Sequence, residues 1–260
     1  MNMSDPALHV CLDVPLSDSP SAIAEAEAKA AAEHATGGPL SPIEAALVKA
    51  KKWRKGRTLK VRFLDGDPDL QQRVADAATE WTHHANIGLD FSNDPNAEIR
   101  VAFQQGGGSW SAVGTDALVE EWFPKNGPTM NFGWLTPASS DEEIASVVLH
   151  EFGHALGLIH EHQQPKADIA WNKELIYRQL GGPPNNWPRD VVDHNVFNRL
   201  AKSELNFSEY DKTSIMHYFF PAEWTTDGTV FQENSALSDT DKSFIKKQYP
   251  PAASAASAGV

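Results

Sequence analysis

The chain has 260 residues, and 41% of them are hydrophobic, including eight Trp, so it can bury a sizeable core in one large domain or two small ones. A net charge of -13 argues against nucleic acid or anionic membrane as a partner. One cysteine, Cys11, leaves no intramolecular disulfide, and no run approaches the ~18 apolar residues of a membrane span. The first residues carry neither a basic n-region nor an apolar h-region, so no signal peptide is expected. A cytoplasmic location follows by default, with export by another route compatible, and a monomer is the default assembly.

Residues 1–40 read as an appendage. Residues 8–15 form a short apolar patch suited to an extended segment. Residues 21–35 are Ala-rich with interleaved Glu and Lys, a strong helix former with a thin apolar face. Gly37, Gly38 and Pro39 end it. A second helix is expected from Ser41, with Pro42 in its first turn and Glu44 completing a capping box, as far as Lys52.

A globular pattern begins near Thr58. Residues 59–63, 87–91 and 97–103 alternate apolar and polar and read as strands with one buried face. A helix starts at Asp67 and Pro68 and carries Leu70, Val74, Ala78 and Trp81 at helical spacing. Residues 106–114 are Gly-rich and read as a flexible connection, since the ending and context of a phosphate-binding loop are absent. Residues 129–135 are a further strand candidate.

The next helix is capped by Ser139 or Ser140, with Asp141, Glu142 and Glu143 favouring its positive end. Its apolar residues surround the axis, so it is buried. Yet it carries His150, Glu151 and His154, polar groups that need partners when buried. Histidines four apart share one helix face and can converge on one ion at the ~2.0–2.1 Å of a Zn–N bond. Gly157 can take a left-handed conformation and end the helix, which lets the chain turn back and bring His160 in as third ligand. Three ligands leave a position for water, as in catalytic zinc sites, and Glu151 stands beside it as the base for that water's proton. The expected cofactor is one Zn2+.

Beyond Leu158 the composition shifts to Pro, Asn and Gln. Helices are expected at residues 172–180, 188–202 and 238–248, with a compact segment at 214–218 and a disordered tail at 251–260.

The run His150-Glu151-x-x-His154-x-x-Gly157-x-x-His160 is the zincin signature of the metzincins. With Glu161 after the third His, Ser214-Ile215-Met216-His217-Tyr218, and Leu237-Ser238-x-x-Asp241 ending at Tyr249, it resembles the astacin group, over about residues 57–250. The resemblance implies an α+β metzincin fold. A twisted mixed sheet packs on two long helices above a cleft, with an irregular, mostly helical lower subdomain. Within a catalytic domain of residues 41–250, it implies an upper subdomain of about 57–157 and a lower one of about 158–250. It implies that Met216 lies under the zinc, that Tyr218 points at the metal and stabilises the oxyanion, and that a peptide substrate runs along an edge strand, a place taken by residues 129–135. His217 is structural on this reading, and His162 supports the site or sits at the surface rather than binding metal. Glu161 in mature astacins pairs with a new N-terminus. The chain departs from animal astacins in having a single cysteine, and no signal peptide is expected.

Cys11 ahead of a zinc site suggests a latency ligand, a role Asp13 could also fill; a cysteine of no consequence is the other reading. The leading function is a zinc endopeptidase acting on protein or peptide. A zinc-stabilised binding module without catalysis and a zinc hydrolase of a small amide are the alternatives.

Overall fold

Residues 58–131 build a five-stranded mixed sheet in this computed structural model, which describes residues 11, 16–35, 51–183, 185–199 and 209–251. Strands β1 (Thr58–Phe63), β2 (Gly88–Phe91), β3 (Ile99–Ala102), β4 (Trp110–Ser111) and β5 (Met130–Asn131) lie in the order β2-β1-β3-β5-β4. All neighbours are parallel except β4, which runs antiparallel to β5 with Trp110 opposite Asn131.

The structure corrects three expectations here. Residues 129–135 do not form the edge: Met130–Asn131 is paired on both sides, and the edge strand on that side, among the described strands, is Trp110–Ser111. The Gly-rich run at 106–114, whose second half holds that strand, is therefore not a flexible connection. Ser109 is fully buried, its Oγ accepts the Gly133 N–H, and Asn131 Nδ2 donates to the Gly108 carbonyl at 2.7 Å. Nor does β3 alternate. It lies between β1 and β5, and all four residues are buried. Arg100 tolerates this because its guanidinium donates to the carbonyls of Ala97, Phe123, Pro124 and Gly127.

Helix α1 (Pro20–His34) belongs to the appendage, and it buries only Ala22, Ala30 and His34. With so little apolar surface it is held by polar contacts. Glu33 pairs with Arg57, His34 Nε2 donates to the Lys52 carbonyl at 2.7 Å, and Ser21 donates to Glu121 at 3.0 Å. The helix expected at residues 41–52 lies outside the described residues except for its last two positions, as do the patch at 8–15 apart from Cys11 and the tail beyond Pro251.

Helices α2 (Pro68–Thr79) and α3 (Asp141–Ala155) pack together against the sheet's apolar residues. Two indoles pin α3: Trp81 donates to the Leu149 carbonyl at 2.9 Å and Trp53 to the Ala155 carbonyl at 2.7 Å. These are fully buried side chains, and the carbonyls they cap sit one residue before His150 and one after His154.

A second apolar cluster includes Ile176, Leu180, Val192, Tyr218, Phe220, Trp224 and Phe231. It takes in α4 (Lys173–Leu180) and α5 (Arg189–Val192). The helix expected at 188–202 is cut short. After Val192 the chain widens into a single π-turn, Asp193–Phe197, with the Asn198 N–H on the Asp193 carbonyl. Asn195 explains the slip, since its side-chain amide donates to Val191, the carbonyl that an α-helix would offer to its main-chain N–H. The last helix, α6 (Asp239–Gln248), returns to the first core through Ile245, and Tyr249 follows it there. Met216 packs in the first cluster and Tyr218 in the second, so the segment between them marks the seam.

Candidate metal centre

Ser140 caps α3 by accepting the Glu143 N–H, and three carboxylates follow in the first turn. At the other end Gly157 has φ 87°. The Gly157 N–H meets the His154 carbonyl at 2.7 Å and the Leu158 N–H meets the Gly153 carbonyl at 2.9 Å, a Schellman closure. That turn does a second thing. It aims the Leu158 carbonyl at His154 Nδ1, 2.9 Å away.

His150, His154 and His160 are all buried, and their Nε2 atoms converge: His154 lies 3.1 Å from His150 and 3.0 Å from His160. His150 Nδ1 donates to the Ile215 carbonyl at 2.8 Å. A carbonyl only accepts, so the Nδ1 atoms of His150 and His154 carry the protons. Their Nε2 atoms, when the rings are neutral, present lone pairs to each other. Lone pairs held at such a distance repel unless a cation lies between them. Nitrogens ~2.0–2.1 Å from a tetrahedral zinc stand about 3.3 Å apart, close to these separations. The donor set and its geometry therefore fit zinc.

Glu151 is fully buried beside His150. Cys11 joins it: ligand atoms of Cys11, His150 and Glu151 all lie within 4.8 Å of one another. Tyr218 places its ring 4.2 Å from that of His160, and its hydroxyl donates to the Cys11 carbonyl at 2.8 Å. Asp13 lies outside the described residues.

Met216 lies against the backbone of α3 between its two histidines. A Cβ on Gly153 would come within 2.3 Å of the Met216 sulfur. His217 donates through Nδ1 to the Tyr218 carbonyl and receives the Tyr210 hydroxyl on Nε2, while burial pushes its pKa down to about 4, so it is neutral. His162 is buried outside the metal cluster. Its Nε2 donates to the Asn195 carbonyl at 3.0 Å, and its ring lies 4.8 Å from Tyr218. The Glu161 carboxylate accepts the Asp211 N–H at 2.8 Å and the Gln164 amide, and burial pushes its pKa up to about 7.

Sequence reasoning missed the partners that orient the imidazoles. The carbonyls of Leu158 and Ile215 do this work, and a main-chain carbonyl leaves no mark in sequence. Asp241 was legible only as part of the astacin-like C-terminal stretch; its carboxylate also reaches the main-chain N–H of Ile215.

Two imidazoles from one buried helix, a third from the turn behind it, and a methionine turn beneath them place the molecule among the metzincins. The chain belongs to the astacin family of peptidases, whose family model matches residues 46–249. Members are zinc metalloendopeptidases with one catalytic zinc. The chain is similar to zinc metalloproteinase nas-38 of Caenorhabditis elegans, 27% identical over 173 residues, covering 65% of this chain and 20% of that protein. It is likewise similar to meprin A subunit beta of Rattus norvegicus, 29% identical over 156 residues, covering 58% of this chain and 18% of that protein. The chain thus spans about a fifth of these relatives. Among solved structures, myroilysin superposes with TM-score 0.75 at 43% identity, covering 78% of this chain and 98% of that chain. A hatching enzyme of Oryzias latipes, at 19% identity and TM-score 0.52 over 77% of this chain and 95% of that chain, shares the fold. Among the described residues no helix is long and apolar enough to cross a membrane.

Proposed function

We propose that the chain is a zinc-dependent endopeptidase hydrolysing peptide bonds in a protein or peptide substrate. The carrying observation is the convergence of the Nε2 atoms of three buried imidazoles, two of them with Nδ1 protons committed to carbonyls. Zinc held by His150, His154 and His160 supplies a Lewis acid and an acidified water. Glu151, buried at that position, takes the water's proton and passes it to the leaving amine. The Tyr218 hydroxyl donates to the substrate carbonyl oxygen as negative charge develops there. Met216 supports the ligand helix from below, and Gly157 makes the turn that delivers His160. The outer side of β4, unpaired among the described strands, offers main-chain groups to an extended peptide. Cleavage of a denatured protein should stop with a zinc chelator and with Glu151→Ala. Zinc retention without chelator-sensitive, Glu151-dependent cleavage of any peptide would instead favour a non-catalytic binding module.

On the same reading residues 1–40 are a prosegment and residues 41–250 the catalytic domain, with Cys11 as a latency ligand. The support is that one residue engages both halves of the machinery. The Cys11 thiol lies with His150 and Glu151, while its carbonyl holds the Tyr218 hydroxyl that substrate would need. Leu16 packs against the first core and Cys11 against the second, so the appendage reaches both sides of the seam. Cys11→Ser should raise the activity of the full-length chain without any thiol-modifying treatment. Equal activity of the two forms would sink the latency role.

A further inference from the structure

We propose that Asp241, on the C-terminal helix, is a positioning residue for the metal ligand His150, acting through the methionine turn. The inference rests on the zinc reading of His150, His154 and His160 given above.

Asp241 is the third residue of α6, and in that position a carboxylate commonly reaches back to the N–H of the capping residue. It does so here, accepting the Ser238 N–H on Oδ2 at 2.9 Å, while Ser238 Oγ accepts the Asp241 N–H at 3.0 Å. A cap needs only that one contact. This carboxylate makes two more, both to the methionine turn. Oδ2 also accepts the Ile215 N–H at 2.8 Å, and Oδ1 accepts the Ser214 hydroxyl at 2.7 Å. The Ser214 oxygen in turn accepts the Met216 N–H at 3.1 Å. One buried carboxylate thus fixes Ser214, Ile215 and, at one remove, Met216.

Each of the last two residues touches the metal ligands' own elements. The Ile215 carbonyl accepts the His150 Nδ1 proton at 2.8 Å, which sets the ring's rotation and its tautomer. The Met216 carbonyl accepts the N–H of Glu161, the residue after His160, at 2.9 Å. The Met216 sulfur fills the space over Gly153. The turn is a jig against which two ligand-bearing segments are aligned, and Asp241 clamps it through Ser214 and Ile215. Three donors converge on this one carboxylate, so the clamp is stiff. If it slackens, the Ile215 carbonyl drifts and His150 Nε2 loses its fixed aim, while His154 keeps its own acceptor on Leu158.

The test measures zinc affinity by competition with a chromophoric chelator, together with thermal unfolding of the zinc-free chain. Four chains are compared: the parent, Asp241→Asn, Ser214→Ala and Ser238→Ala. Asp241→Asn should weaken zinc binding about 10–100-fold, the range for loss of a group that orients a ligand. Ser214→Ala, which removes one arm of the clamp and is the milder change, should weaken it several-fold. Ser238→Ala damages the same helix cap and loses the hydroxyl bond to Asp211 but keeps both contacts from Asp241 to the turn, so it should lower the unfolding temperature and leave affinity within about twofold. The d–d absorption of the cobalt-substituted protein should shift in Asp241→Asn and not in Ser238→Ala. Tight zinc binding by the parent with unchanged affinity in both Asp241→Asn and Ser214→Ala would overturn the positioning role alone. So would affinity that simply follows unfolding temperature across the variants. A parent that binds no zinc would overturn the three-histidine site itself.

Discussion

Gly157→Ala probes the turn on which the third ligand depends. The native φ of 87° is left-handed, and a side chain there costs roughly 1–2 kcal/mol. The alternative is to relax φ to a negative value. That would break the Gly157 and Leu158 N–H contacts and pull the Leu158 carbonyl from His154, three hydrogen bonds each worth about 1 kcal/mol net. Staying strained is the cheaper response, so the alanine chain should keep its geometry while zinc is bound. Without zinc, part of the strain can be released by local opening. The lost stability of the zinc-free chain and the lost zinc binding energy should therefore sum to about 1–2 kcal/mol. If all of it appears in binding, affinity falls roughly 5–30-fold, since about 1.4 kcal/mol is tenfold. Urea unfolding of the zinc-free chain gives the first quantity and chelator competition the second. Gly157→Asn should lose less, because Asn tolerates the left-handed region. An alanine variant with both quantities unchanged would refute the role assigned to this glycine.

Gly153→Ala should destabilise the fold by about 1–3 kcal/mol through collision with the Met216 sulfur, and Met216→Ala by about 2–5 kcal/mol through the cavity it leaves. The double variant should be less unstable than the sum, with a coupling of about 0.5–3 kcal/mol in denaturant unfolding, and strict additivity would deny the contact. Burial holds the His217 pKa at about 4, below its unfolded value of about 6.5, so the unfolded chain takes up the proton first as pH falls. The zinc-free chain should then be at full stability above about pH 6.5 and lose on the order of 3 kcal/mol toward pH 4. His217→Asn should flatten that part of the profile, and an unchanged slope would show that His217 is not the group responsible. Chelation should lower the unfolding temperature of the parent and barely move that of a His150→Ala, His154→Ala double variant; equal shifts would place the zinc elsewhere.

Much of the site was legible because its chemistry rides on short-range periodicity. Two histidines four apart share a helix face whatever surrounds the helix, and the glycine that ends it must lie next in the chain. The strands were legible as elements but not in their order. Pairing joins residues far apart in sequence, and nothing local says that Trp110 rather than Met130 faces outward. Arg100 shows the same limit, since a charged residue in a strand reads as a solvent face until four carbonyls are found around it.

The sequence alone singled out the three histidines as a candidate ligand set, the adjoining glutamate and the capped buried helix that carries them, all of which depend on spacing within a few turns of chain. Tertiary structure decided what holds those ligands in aim. It set the carbonyls of Ile215 and Leu158 behind the imidazoles, Asp241 behind the methionine turn, and Cys11 beside Glu151. The physical reason is that orientation comes from main-chain groups and from contacts across as many as 207 positions between Cys11 and Tyr218, and neither is encoded in the residues next door.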